Sequence, residues 1–362
     1  MTANSVTPID EAIFNKHHQG KIETRSVFTI NSQAVLQQVY TPGVAKVCMA
    51  IAADETLANN FTARQKTVAI VTNGTAVLGL GNVGVAASLP VMEGKAALFA
   101  EFGNINGVPI LLDSENVDDM VSAIKLIAPS FGAIQLEDIK APECFELEQR
   151  LRECLTIPVL HDDQHGTAVV TLTALRNACR MADVDLKTAV VGQIGLGAAG
   201  IGIGALLKSF GVQTLLGCDK DASACTRFAA SGGQIRSLNE LMAEADIVVA
   251  TTGVKGLIKP TMVRAGQIIL ALTNPSPEIE PSVALEEGAR FAADGKSVNN
   301  LLGFPALFAG ILRAGRSQFC TDDLLIAADT LFGLTPEGDL VPDALDKTVH
   351  ELVAKKVAER PA

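Results

Sequence analysis

Thr188-Ala189-Val190-Val191-Gly192-Gln193-Ile194-Gly195-Leu196-Gly197-Ala198-Ala199-Gly200 decides how the second half of this chain folds. A short apolar run bounded by polar residues reads as a buried strand. The glycines Gly195, Gly197 and Gly200 then open a long apolar helix. A Gly-x-Gly-x-x-Gly pattern by itself is often only a tight turn. Here a strand precedes it, a helix follows it, and Asp219 closes the next apolar run, Thr214 to Cys218, 19 positions after Gly200. That context is a dinucleotide-binding fingerprint. Backbone amides and a helix N-terminus face the pyrophosphate, and the carboxylate accepts the ribose 2′-hydroxyl. Asp219 would repel a 2′-phosphate, which favours NAD over NADP, while Lys220 beside it pulls the other way.

Working outward, further strands are predicted at 247–250 and 267–272, each running into a polar loop: Thr251-Thr252-Gly253 and Thr273-Asn274-Pro275-Ser276-Pro277. Upstream, strands at 67–71, 108–112, 132–136 and 157–160 alternate with helices at 117–128 and 144–154. Such alternation predicts parallel sheets with helical crossovers. A helix is expected over 5–20, another from Thr167 to Met181, and helices at the end of the chain. Pro90-Val91-Met92-Glu93-Gly94-Lys95 is expected to lead into a helix that runs to Phe102.

Two acidic pairs follow successive predicted strands: Glu137-Asp138 and Asp162-Asp163. Open α/β sheets place their ligands at the carboxyl ends of strands. Four carboxylates delivered to one edge repel each other unless a cation or shared protons intervene. The pairs therefore read as a divalent-metal site. Oxygen-only ligands suit Mg²⁺ or Mn²⁺; His161 and His165 would instead suit a softer metal.

Bulk properties narrow the function classes. Of the 362 residues, 48% are hydrophobic and 19% charged, enough apolar residues for a large core and too few charges for disorder. A net charge of −11 argues against a nucleic-acid partner. The seven cysteines are scattered without a Cys-x-x-Cys, which suggests reduced thiols and a cytoplasmic protein. No apolar leader segment or membrane span is expected. Tyr40 is the single tyrosine, placed on a loop by the Pro42-Gly43 turn. Read alone, Tyr40, Lys95, Asn274 and Asn300 have ordinary explanations in packing, solvation, turns and caps.

Taken together, several stretches resemble the malic enzymes, in particular the compact bacterial type. They are Tyr40-Thr41-Pro42-Gly43-Val44-Ala45, Ala76-Val77-Leu78-Gly79-Leu80-Gly81, Pro90 to Lys95, Leu136-Glu137-Asp138-Ile139-Lys140-Ala141-Pro142, His161-Asp162-Asp163-Gln164-His165-Gly166-Thr167, Thr273-Asn274-Pro275 and Asn299-Asn300. They occur in family order over most of the chain. The resemblance implies an N-terminal α/β substrate and metal domain with a parallel sheet, residues 1–160. A Rossmann-type NAD-binding domain with C-terminal helices follows, residues 161–362. It implies oxidative decarboxylation of (S)-malate to pyruvate and CO₂ with reduction of NAD⁺. Tyr40 is then the general acid, Lys95 the general base, and Asp162 the residue that positions Lys95. Glu137, Asp138 and Asp163 are the metal ligands, and Asn274 and Asn300 hold substrate carboxylate. Gly195, Gly197, Ala198, Ala199, Gly200, Asp219, Thr167 and Asn274 form the cofactor site. A homodimer is implied as well.

The chain departs from the family where members often carry Ser-Asp-Gly-Ser and a Gly-Asp pair. Here Thr72-Asn73-Gly74-Thr75 and Gly81-Asn82 replace two carboxylates with amides. Substrate preference is open at these positions. The alternative reading is an oxaloacetate decarboxylase or malolactic-type enzyme using the same site without net redox.

Overall fold

The computed structural model describes residues 8–77 and 80–361. Leu78 and Gly79 of the glycine-punctuated loop lie outside the described residues, as do the first residues of the helix expected over 5–20. Ten strands are found among the described residues: β1 (Thr67–Thr72), β2 (Asn106–Leu111), β3 (Ala133–Leu136), β4 (Val159–His161), β5 (Val190–Ile194), β6 (Thr214–Cys218), β7 (Gln234–Ile235), β8 (Ile247–Ala250), β9 (Ile268–Ala271) and β10 (Phe291–Asp294). They form two wholly parallel sheets, ordered β2-β1-β3-β4 and β10-β9-β8-β5-β6-β7. The chain is α/β, as its alternating pattern predicts.

The central strands read as continuous apolar runs because both of their faces are covered. Successive side chains of β1 alternate between two cores. Val68 and Ile70 join Met92 and Phe99 on one side, while Ala69 and Val71 join Ile124, Leu136 and Leu147 on the other. Both sheets reverse their strand order once, between β1 and β3 and between β5 and β8, and these reversals open ligand crevices at the carboxyl ends. Helix Asp162–Ala182 is buried throughout Ala168 to Leu175, packed between helices Ala198–Phe210 and Thr321–Leu334. Helix Phe304–Arg313, buried from Phe304 to Leu312, returns to the first sheet's helical layer, where the Phe304 and Phe308 rings meet Phe99 edge-on at 4.9 and 5.4 Å.

Two expectations change, and two strands are added. The helix carrying Lys95 starts at Val85, so Pro90 lies inside it and Lys95 in its last turn. Proline usually marks a first turn, but here it sits on the exposed side, where its missing N–H costs least. The helix expected from Thr167 starts at Asp162, because its polar first turn hides the helical pattern that begins at Ala168. Strands β7 and β10 are too short and too weakly apolar to be read from sequence. Among the described residues no helix is long and apolar enough to cross a membrane.

Candidate active site

The first sheet delivers its acidic residues to one edge. Glu137 and Asp138 leave β3, with the Glu137 amide still donating to the Val71 carbonyl of β1 at 2.9 Å. Asp162 and Asp163 leave β4 as the first turn of their helix, where carboxylates favour the positive end of the helix dipole. One oxygen each of Glu137, Asp138 and Asp163 lie within 4.8 Å of one another. The Asp138 amide donates to Asp163 Oδ2 at 2.9 Å. Asp138 is held at φ +53°, a left-handed conformation uncommon outside glycine. Burial pushes the Glu137 carboxyl well above the usual range; the Lys95 ammonium opposes this, and the Asp163, Asp162 and Asp138 charges add to it. A largely buried nest of carboxylate oxygens suits Mg²⁺ or Mn²⁺. The two histidines do not join it. His165 Nε2 pairs with Glu148 Oε2 at 3.0 Å, and the fully buried His161 ring lies behind Asp163, with Nε2 at 3.5 Å from Oδ2.

Lys95 adjoins this nest. Its Nζ donates to Asp162 Oδ2 at 2.5 Å, sits 3.0 Å from Glu137 Oε1, and lies 4.4 Å above the centre of the Phe304 ring. Burial would lower the pKa of the ammonium, but Asp162 and Glu137 outweigh burial and raise it. The Asn300 amide also donates to Asp162 Oδ2, at 3.0 Å. Gly166 leaves room for this carboxylate, since a Cβ there would stand 2.0 Å from Asp162 Oδ1.

The glycine loop of the second sheet is equally constrained. Gly195 adopts φ +88°, and a Cβ on Gly200 would lie 1.9 Å from the Gly195 carbonyl oxygen. Gly197, Ala198 and Ala199 form the bend and first turn of helix Ala198–Phe210. Asp219 caps the loop from the end of β6, accepting from the Leu196 amide at 2.6 Å. Thr167 lies in helix Asp162–Ala182, whose Gln164 backbone closely faces Gly202 of the glycine-loop helix.

The structure thus gathers Lys95, Asp162, Asn300 and the three carboxylates, and separately assembles the glycine loop with Asp219. It does not gather Tyr40. That residue ends helix Gln33–Val39, is 67% exposed, and its hydroxyl bonds to no described residue. Asn274 is exposed on the loop after β9. Sequence reasoning missed Glu278, which is fully buried. Its carboxylate accepts from the amides and hydroxyls of both Thr252 and Thr273, tying together the loops after β8 and β9. Its only sequence signal was its place beside a proline-rich turn.

The family model described as malic enzyme, N-terminal domain, matches residues 19–116 and 114–152. Over 350 residues the chain is 53% identical to NAD-dependent malic enzyme 1 of Bacillus subtilis (strain 168), covering 96% of this chain and 80% of that protein. The chain belongs to the malic enzyme family. Another member, the NAD-dependent malic enzyme of Geobacillus stearothermophilus, is 39% identical over 98% of this chain and 79% of its own. Among solved members, the NAD-dependent malic enzyme of Thermotoga maritima superposes with a TM-score of 0.89 at 35% identity, over 98% of this chain and 99% of that one.

Proposed function

We infer that this chain is an NAD-dependent malic enzyme, converting (S)-malate to pyruvate and CO₂ with reduction of NAD⁺. Its relatives by name support the activity. The observation that carries the mechanism is Lys95 fixed between Asp162 and Glu137 on the rim of a three-carboxylate nest. When bound, NAD⁺ supplies a hydride acceptor, and Mg²⁺ or Mn²⁺ held by Glu137, Asp138 and Asp163 supplies Lewis acidity. Lys95, aimed by Asp162, would receive the proton of the substrate C2 hydroxyl as the neutral amine, a form that the carboxylates alone disfavour and that a cation held by Glu137, Asp138 and Asp163 would favour by offsetting their charge. Tyr40 gives a proton to C3 of the enolate left after CO₂ departs, and the proton that Lys95 took from the hydroxyl restores Tyr40. Asn274 and Asn300 orient substrate carboxylate, and the Asn300 bond to Asp162 links that grip to the base. Gly195, Gly197, Ala198, Ala199, Gly200, Asp219 and Thr167 hold the dinucleotide. A fully built nucleotide loop argues against a decarboxylase that needs no nicotinamide; net NADH release separates the activity from a malolactic-type reaction.

The working unit is a homodimer in this reading. Helices Gln33–Val39 and Val44–Ala53 bury no residue, and Ile13, Phe14, Val27, Phe28 and Met49 stand exposed, an apolar arm suited to a second copy. We divide the chain into a substrate unit, 1–160, and a nucleotide unit, 161–362. Its seven cysteines are all free, which suits the reducing cytoplasm. The test is NADH formation from malate with Mn²⁺. Wild-type activity should be lost in Glu137→Gln and Asp163→Asn; full activity of both variants would overturn the metal assignment.

A further inference from the structure

Asp138 is the proposed metal ligand whose backbone most needs outside support, because it sits at φ +53° without being glycine. That support comes from the loop after β1. The Ala76 amide donates to the Asp138 carbonyl at 3.0 Å, and the Lys140 amide donates to the Thr75 hydroxyl at 3.0 Å, so the backbone leaving Asp138 is pinned twice to one loop. The Thr75 hydroxyl in turn donates to Asn73 Oδ1 at 2.6 Å. The Asn73 amide donates to the Ser114 carbonyl at 3.1 Å and lies 3.6 Å from Met120 Sδ. Asn73 and Thr75 are each only 5% exposed. The bends are fixed too: Gly74 is at φ +68°, and a Cβ there would meet the Gly84 carbonyl at 2.6 Å.

Here the amide at residue 73 has a definite use. Its Nδ2 donates to a carbonyl, which a carboxylate cannot do. Its Nδ2 faces Ser114 and Met120 at the start of helix Val117–Ile127, while its Oδ1 accepts from Thr75. The departure at this residue therefore concerns how the metal-ligand segment is held.

We propose that Thr75, backed by Asn73, is a positioning residue that holds Asp138 in its left-handed conformation and so aims its carboxylate into the metal nest. This rests on the metal reading above. It deepens that reading by naming a supporting shell from a different strand loop. Groups that orient ligands in this way typically alter metal affinity by about ten- to a hundredfold when removed.

The experiment titrates the full-length protein with Mn²⁺ alone and follows free Mn²⁺ by electron paramagnetic resonance, with NAD⁺ affinity measured by calorimetry as the control. Thr75→Val keeps the shape and loses the hydroxyl; Thr75→Ser keeps the hydroxyl. We expect Thr75→Val to weaken Mn²⁺ binding at least about tenfold, Thr75→Ser to stay within about twofold of wild type, and NAD⁺ affinity to hold in both. Unchanged Mn²⁺ binding in Thr75→Val overturns the proposal, as does an equal loss of Mn²⁺ and NAD⁺ affinity. If Thr75→Val does not fold, Thr75→Ala against Thr75→Ser decides on the same criteria. A wild-type protein that binds no Mn²⁺, or binds it undiminished in Asp138→Asn, overturns the metal reading itself and the positioning role with it.

Discussion

Asp162→Asn is the sharpest perturbation of the proposed proton-transfer pair, because it removes charge and little else. Asp162 Oδ2 accepts from both Lys95 and Asn300, so an amide oxygen in the same place keeps both bonds. The new amide nitrogen would occupy the position of Oδ1, which has no partner among the described residues. At 2.5 Å the Lys95–Asp162 attraction is about 7 kcal/mol before desolvation, for an effective dielectric constant of ~20. Breaking a buried pair by removing one partner typically costs about 3–5 kcal/mol. Lys95 keeps Glu137 at 3.0 Å, and the loss of Asp162 relieves Glu137 of a repelling neighbour, so the expected cost is nearer ~3 kcal/mol. Turnover should fall much further, by about a hundredfold or more, since the base loses the group that aims it. Mn²⁺ affinity should change little, because Asp162 is outside the ligand set. NADH formation, urea unfolding and Mn²⁺ titration on one preparation separate the three effects. A variant that retains a third or more of wild-type turnover would refute the assignment of Asp162 to Lys95.

Other outcomes follow from specific contacts. Gly166→Ala places a Cβ 2.0 Å from Asp162 Oδ1; it should cost about 1–3 kcal/mol in denaturant unfolding and depress turnover out of proportion to that loss. His350 donates through Nε2 to the Ala344 carbonyl at 2.9 Å, and burial lowers its pKa below the ordinary value. The unfolded chain therefore takes up a proton near pH 6.5 that the folded one resists. That stability is present above about pH 6.5 and is lost as pH falls towards the folded value. His350→Gln should make the decline in unfolding free energy between about pH 7 and pH 5 shallower, by at most about 1.4 kcal/mol per pH unit; an unchanged slope would remove His350 from the account. Because Tyr40 stands exposed on the apolar arm, inactive Tyr40→Phe and Lys95→Met chains refolded together should regain about a quarter of wild-type activity if each site draws on both copies of a dimer. No recovery would mean that Tyr40 serves the Lys95 of its own chain.

What was legible in the sequence depended on how local each constraint is. The nucleotide loop was legible because its requirements fall on glycines within six residues: a positive φ at Gly195 and a close approach at Gly200. The acidic pairs were legible as a charge problem, since their places after successive apolar runs put them on one sheet edge. Their division of labour was not legible from spacing. Asp162 and Asp163 are adjacent in a first helical turn, so they point in different directions, one to Lys95 and one to the nest. That split came from family resemblance. Lys95 was misplaced at a helix start because Pro90 and Gly94 interrupt the helical pattern before it, whereas the helix had already begun at Val85. Glu278 and the support that Thr75 gives the Asp138 segment were missed for the opposite reason: Thr252 for Glu278 and Lys140 for Thr75 are distant in sequence, and a buried acceptor or hydroxyl leaves no periodic trace.

The central claim is that one site couples hydride removal at C2 of malate to loss of its C4 carboxylate. The most direct measurement uses malate labelled at C4, with NAD⁺ and Mn²⁺, and follows labelled CO₂ and NADH together. The account predicts one labelled CO₂ for each NADH, with both lost together in Lys95→Met. NADH without labelled CO₂ would make the protein a simple dehydrogenase, and labelled CO₂ without NADH would contradict the redox step.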